Sequence, residues 1–144
     1  MRLPPIPTIG LRGQVMTKGQ QVLAIACGLE AATGLGLLVA PSMVARLVLG
    51  SDLADVSIII SNIAGVALIS LAIACWPRAG ATSRAPYAGM FFYNLLAALL
   101  LGETAVAGTI GGILLWPIVV AHLGLAVLIP LASFGRRRVT AEQA

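Results

Sequence analysis

The sequence predicts an all-α polytopic membrane protein: four transmembrane helices in an up-down-up-down bundle, with a short interfacial helix on the outer side. Three observations predict it. The 144 residues are 59% hydrophobic and only 10% charged, with a mean hydropathy of +1.01, whereas soluble domains carry about a quarter charged residues. Four apolar stretches are long enough, or nearly so, to cross a ~30 Å hydrocarbon layer at 1.5 Å per residue. The basic residues fall almost entirely on one side of those stretches. So few polar residues cannot cover an apolar core, so lipid is expected to cover the remainder, in one compact domain.

The charges orient the chain. Arg2, Arg12 and Lys18 precede the first span, Arg78 and Arg84 separate the second from the third, and Arg136, Arg137 and Arg138 follow the fourth. Only Arg46 falls on the opposite side, with Asp52, Asp55 and Glu103. Basic residues stay in the cytoplasm when spans insert. Both termini are therefore expected in the cytoplasm, in a multi-pass arrangement across the inner membrane. The net charge of +4 reflects this topology and contact with anionic lipid, and nucleic acid is not expected as a partner.

Residues 1–18 read as a cytoplasmic basic, proline-rich arm. Pro4, Pro5 and Pro7 lack an amide donor and restrict the residues before them, which argues against a helix there. The domain follows over residues 19–134. Its first span runs from about Val22 to Ala40 and is expected to stay uncleaved. A signal peptide has a shorter, wholly apolar segment, and this stretch holds Glu30 at its middle.

Pro41 to Gly50 has apolar residues at helical spacing, with Ser42 as N-cap and Gly50 as the stop. It is expected to lie along the outer surface; a passive float is the favoured reading, and a partial lid over the bundle mouth is the alternative that the sequence leaves open. The second span runs from Ala54 to Trp76. The third, Pro86 to Leu101, is somewhat short and opens on a proline, harmless in a first turn. Gly108, Gly111 and Gly112 mark a turn into the fourth span, Gly112 to Ser133. Residues 135–144 form a basic cytoplasmic tail. Short links make neighbouring spans run antiparallel.

Small residues recur every fourth position at Ala24, Gly28, Ala32 and Gly36, and again at Ser57, Ser61 and Gly65, as close helix approach in lipid requires. Trp76, Tyr87 and Trp116 fall at span ends, where amphipathic rings anchor to the interface. Cys27 and Cys75 lie toward the reducing cytoplasmic side with no C-x-x-C spacing, so they are read as buried thiols rather than a disulfide.

Each span carries one strongly polar residue near its middle: Glu30, Asn62, Asn94 and His122. Such groups are costly in hydrocarbon and are expected to face the bundle interior. An acidic residue at mid-helix costs roughly 2.5 to 3.5 kcal/mol to insert. Glu30 is thus expected to be neutral, or ionised beside a cation, and His122 is the side chain at matching depth able to carry one. These four residues are the candidate ligand-binding or proton-binding site, with a polar track from Asp55 through Asn62 as a possible extension. The bland alternative is interhelical hydrogen bonding.

Several chemistries find no footing. One histidine cannot build a histidine-rich metal site or bis-histidine haem ligation. No H-E-x-x-H, G-x-S-x-G or P-loop pattern occurs. No catalytic residue, metal or cofactor is assigned.

The stretch Gly28-Leu29-Glu30-Ala31-Ala32-Thr33-Gly34, the Pro41–Gly50 segment, Tyr93-Asn94-Leu95-Leu96, and Trp116-Pro117 followed by His122 together resemble the DoxX-like group of small bacterial four-helix membrane proteins. Hydropathy pattern carries most of that resemblance. It implies the fold and the cytoplasmic membrane, and, through members tied to quinone-linked sulfur oxidation or redox stress, a redox link. No catalytic residue carries over from it. Glu30 is also similar to the acidic residue in the first helix of small multidrug-resistance transporters, though the longer outer link and His122 depart from that pattern.

The leading expectation is a non-enzymatic accessory or assembly component of a membrane complex, with a protein partner or as a homo-oligomer. The alternative is a proton-coupled carrier or ligand-binding bundle that takes a small molecule at Glu30, Asn62, Asn94 and His122. A quinone-active enzyme ranks third.

Overall fold

A computed structural model describes residues 16–78, 83–109 and 111–134. Among them the chain is all-helical, with α1 (Lys18–Val39), α2 (Pro41–Leu49), α3 (Asp55–Cys75), α4 (Ala85–Val106) and α5 (Leu115–Phe134). Four of these, all but α2, are long and apolar enough to cross a membrane, as a multi-pass membrane protein requires. The expected arm over residues 1–15, the link at 79–82 and the tail from 135 onward lie outside the described residues.

Local chemistry sets the helix ends. Thr17 caps α1 through a capping box. Its Oγ1 accepts from the Gln20 amide at 3.4 Å, and the Gln20 carbonyl Oε1 accepts from the Thr17 amide at 2.9 Å, so two otherwise orphaned donors are satisfied. Pro41 ends α1 by excluding Ala40 from helical geometry (φ −142°, ψ 59°) and then opens α2. Ala40, not Ser42, is the N-cap of α2, and no side chain caps it; Ser42 falls inside the first turn. Gly50 closes α2 in the left-handed conformation (φ 77°), which glycine adopts without strain.

The third span is longer than the expected Pro86–Leu101. α4 runs 22 residues to Val106 because its polar end does not break it. Thr104 returns its hydroxyl to the carbonyls of Leu100 and Leu101 at 3.2 and 2.8 Å. One glycine, Gly102, costs only about 1 kcal/mol in a helix interior.

The start of α5 shifts the other way, to Leu115. The residues before it are tied to α2: the amide of Gly111 donates to the Leu49 carbonyl at 3.1 Å, and that of Leu114 to the Leu47 carbonyl at 2.8 Å. A β-carbon on Gly112 would overlap the Leu47 and Val48 carbonyls. α2 is thus anchored to the lead-in of α5 by its own backbone.

α1 packs mainly on α3 and α4 mainly on α5; α1 and α5 join these pairs, while α3 and α4 touch sparsely. The α1–α3 seam closes at Gly34 and Gly65, where a β-carbon on either would fall 2.6 Å from the other's carbonyl oxygen. Gly65 belongs to the small-residue spacing read on the second span, whereas Gly34 lies outside the one read on the first. Gly28 is exposed, with nothing within 4 Å of a β-carbon built there. The buried face of α1 is instead Leu23, Ala26, Cys27, Glu30 and Gly34, recurring at three and four residues as one helix face does. Cys27 and Cys75, both free thiols, lie in one core cluster with Leu23, Ala72, Met90 and Ile129.

Candidate functional site: a polar centre between α1, α4 and α5

Glu30 belongs to the interior face of α1 and is 2% exposed. Four residues beyond it, Gly34 lets α1 approach α3 closely, and this fixes the side of α1 that turns inward. Asn94 sits on the buried face of α4 with Met90 and Ala98, at four-residue spacing, and is fully buried. His122 lies midway along α5 and is half-buried.

These three side chains meet. The His122 Nδ1 lies 2.9 Å from the Asn94 Oδ1 and 3.8 Å from the Glu30 Oε1. Asn94 is itself anchored, its Nδ2 donating to the Met90 carbonyl one turn earlier at 2.8 Å. The expected Glu30–His122 pairing is therefore a real proximity, with Asn94 as the direct hydrogen-bond partner of the ring.

A fourth side chain completes the cluster. The Tyr93 hydroxyl interacts with the Glu30 carboxyl, and its ring packs edge-on against His122, with centroids 5.8 Å apart at 78°. Tyr93 and Asn94 are adjacent in sequence, about 100° apart around a helix of 3.6 residues per turn. α4 can therefore offer one to α1 and the other to α5. Tyrosine counts among the hydrophobic residues in a composition pattern, which is why a search for strongly polar residues passes over it. Its signal was its place beside Asn94.

Asn62 stands apart. It lies on α3 three residues before Gly65, and among the described residues no hydrogen bond or ion pair joins it to Glu30, Asn94 or His122. Its Oδ1 and the neighbouring Ser61 Oγ are buried without a partner. Asp55 is exposed, and among the described residues no hydrogen bond links it to Asn62 or Asn62 to Glu30. Tyr87 packs toward Gly19 near the α1 start, and Trp76 and Trp116 are exposed at or near helix ends.

The cluster holds an acid, an imidazole, a phenol and a carboxamide on three helices. A carboxyl and an imidazole can each hold a proton here, and the phenol and amide beside them bear on their orientation. Among the described residues, no group of three or more His, Cys, Asp or Glu is placed to hold a metal ion.

Two further features lie away from this centre. A cleft of about 570 Å³ opens among α2, α4 and α5, lined in part by Leu49, Ser51, Ala105, Thr109, Leu115 and Trp116; none of the four cluster residues reaches it. On the α2 side, the Arg46 guanidinium grips Asp52 through two contacts, Nε to Oδ1 and Nη2 to Oδ2, the second at 3.1 Å. The hydrogen bond from Arg46 holds the Asp52 carboxyl below the usual carboxylate range.

No protein-family model, curated protein or solved structure matches the chain.

Proposed function

We propose that this protein is a proton-coupled membrane bundle that binds or carries a small polar or cationic molecule, with Glu30 and His122 as its two proton-binding residues. The observation carrying this reading is the meeting of Glu30 with His122 and Asn94, 3.8 Å and 2.9 Å from one imidazole nitrogen. Ionisable groups at mid-span are costly in hydrocarbon, and those that persist mark ion or proton pathways more often than scaffolding. In this reading the spans run up-down-up-down in the bacterial inner membrane, α2 lies at the outer face, and both ends stay cytoplasmic. The distribution of basic residues supports that orientation.

The test uses purified protein in liposomes loaded with a pH-sensitive dye and challenged with ethidium as a cationic probe. Uptake of the probe accompanied by outward proton movement, lost in Glu30→Gln, is the expected result. Uptake that the substitution leaves unchanged would sink the proposal.

A second reading, an accessory component of a membrane complex, keeps one specific observation in its favour. The α3–α4 seam is sparsely packed, so another membrane helix could complete that side. The resemblance to DoxX-like proteins would make such a complex redox-linked. Gentle extraction followed by native mass spectrometry separates the two readings, since a stoichiometric second protein belongs only to the accessory one.

A further inference from the structure

We infer that Asn94 locks His122 with its proton on Nδ1, so that Nε2 is the atom at which this imidazole gains and loses a proton. The argument is a chain of hydrogen-bond roles. The Met90 carbonyl oxygen can only accept, so the Asn94 atom 2.8 Å from it must be the amide nitrogen. The other end of that amide is then an oxygen, which can also only accept. It faces the ring nitrogen of His122 at 2.9 Å, so that nitrogen must donate. Turning the ring over would put a carbon in this position, where it could not make the bond.

A neutral imidazole carries one N–H, the other nitrogen being an acceptor. With Nδ1–H committed to Asn94, Nε2 is left bare. Among the described residues no hydrogen bond to Nε2 is seen, which leaves it as the nitrogen free to take up a proton. Glu30 from α1 and Tyr93 from α4 are the titratable groups facing the ring; no ion pair or hydrogen bond joins it to α2 or α3 among the described residues. Glu30 therefore meets the donor side of His122 and the Tyr93 hydroxyl, while protons exchange with the imidazole from the far side. Asn94 acts through His122 as a positioning residue. The functional meaning of this polarity rests on the proton-coupled reading above; the tautomer itself does not.

The chain contains a single histidine, so every imidazole signal reports residue 122. Protein grown with ¹⁵N-labelled histidine, purified through a histidine-free tag and placed in liposomes, is measured by solid-state NMR as pH is lowered. The expected neutral form has a protonated Nδ1 and a bare Nε2, with acidification protonating Nε2 alone. Asn94→Leu removes the fixed acceptor and should move part of the population to the Nε2–H form. A wild-type neutral ring bearing its proton on Nε2 overturns the inference, and this needs no variant to fold. An unchanged tautomer in folded Asn94→Leu overturns the role of Asn94. An Nδ1–H ring in a protein that moves no protons would defeat the functional reading and leave the tautomer inference standing.

Discussion

Replacing Gly34 by alanine places a methyl group 2.6 Å from the Gly65 carbonyl oxygen, 2.9 Å from Ile69 Cγ1 and 3.2 Å from the Ile69 amide nitrogen. Two of those three atoms are backbone, so no side-chain rotation relieves the overlap and α1 must move away from α3. Overpacking of this kind costs about 1–3 kcal/mol. Alanine also gains about 1 kcal/mol over glycine in a helix interior, which masks part of the loss. Gly28 supplies the control. It lies on the same helix, and a β-carbon there meets nothing within 4 Å, so Gly28→Ala keeps the propensity gain without the overlap. The difference between the two variants isolates the overlap, and Gly34→Ala should be the less stable by about 1–3 kcal/mol. The assay is the folded fraction in mixed micelles as denaturing detergent is titrated. Gly65→Ala should behave like Gly34→Ala, because the contact is reciprocal, and the double variant should lose less than the sum. A Gly34→Ala protein as stable as Gly28→Ala would refute the seam.

Gly112→Ala should push α2 off the lead-in of α5, speeding hydrogen exchange at the Gly111 and Leu114 amides while the α1 core amides stay protected. Tyr93→Phe removes the hydroxyl facing Glu30 and should lower stability by about 0.6 kcal/mol, the usual size of a polar contact between membrane helices; denaturing-detergent titration reads it. The Arg46–Asp52 pair has a definite sign with pH. Because Arg46 holds the Asp52 carboxyl below its ordinary value, the stabilisation is present at neutral pH and is lost as pH falls through and below the ordinary aspartate range near about 4. Both side chains are largely exposed, so the effect is small. The melting temperatures of wild type and Asp52→Asn should differ slightly at neutral pH and converge in acid.

Much of the fold was legible because lipid imposes simple demands on sequence. The four spans follow from apolar length, and Pro41, Gly50 and Pro86 punctuate them by backbone chemistry that local sequence expresses. The end of α4 was not legible, since Gly102-Glu103-Thr104 looks like a terminus until Thr104 is seen bonding its own helix. Half of the helix seam, Gly34 but not Gly65, was missed for a related reason. Small residues every fourth position are abundant in any alanine- and glycine-rich span, and only the partner helix decides that Gly34, rather than Gly28, is the one in contact. In the candidate site, depth along the span was enough to pick Glu30, Asn94 and His122. Depth says nothing of angular position, so Asn62 was grouped with residues to which, among the described residues, no hydrogen bond joins it. Tyr93 was missed because a phenol is polar at one atom only.

The most direct test of the central claim is whether Glu30 exchanges a proton inside the folded bundle. Infrared difference spectra of the protein in liposomes, recorded between acid and alkaline buffer, should contain a carboxylic acid carbonyl band that shifts in heavy water and disappears in Glu30→Gln. A band that persists in Glu30→Gln would belong to another acid, and no pH-dependent Glu30 band at all would mean that the carboxyl is a fixed structural group. Either result would contradict a proton-exchanging centre.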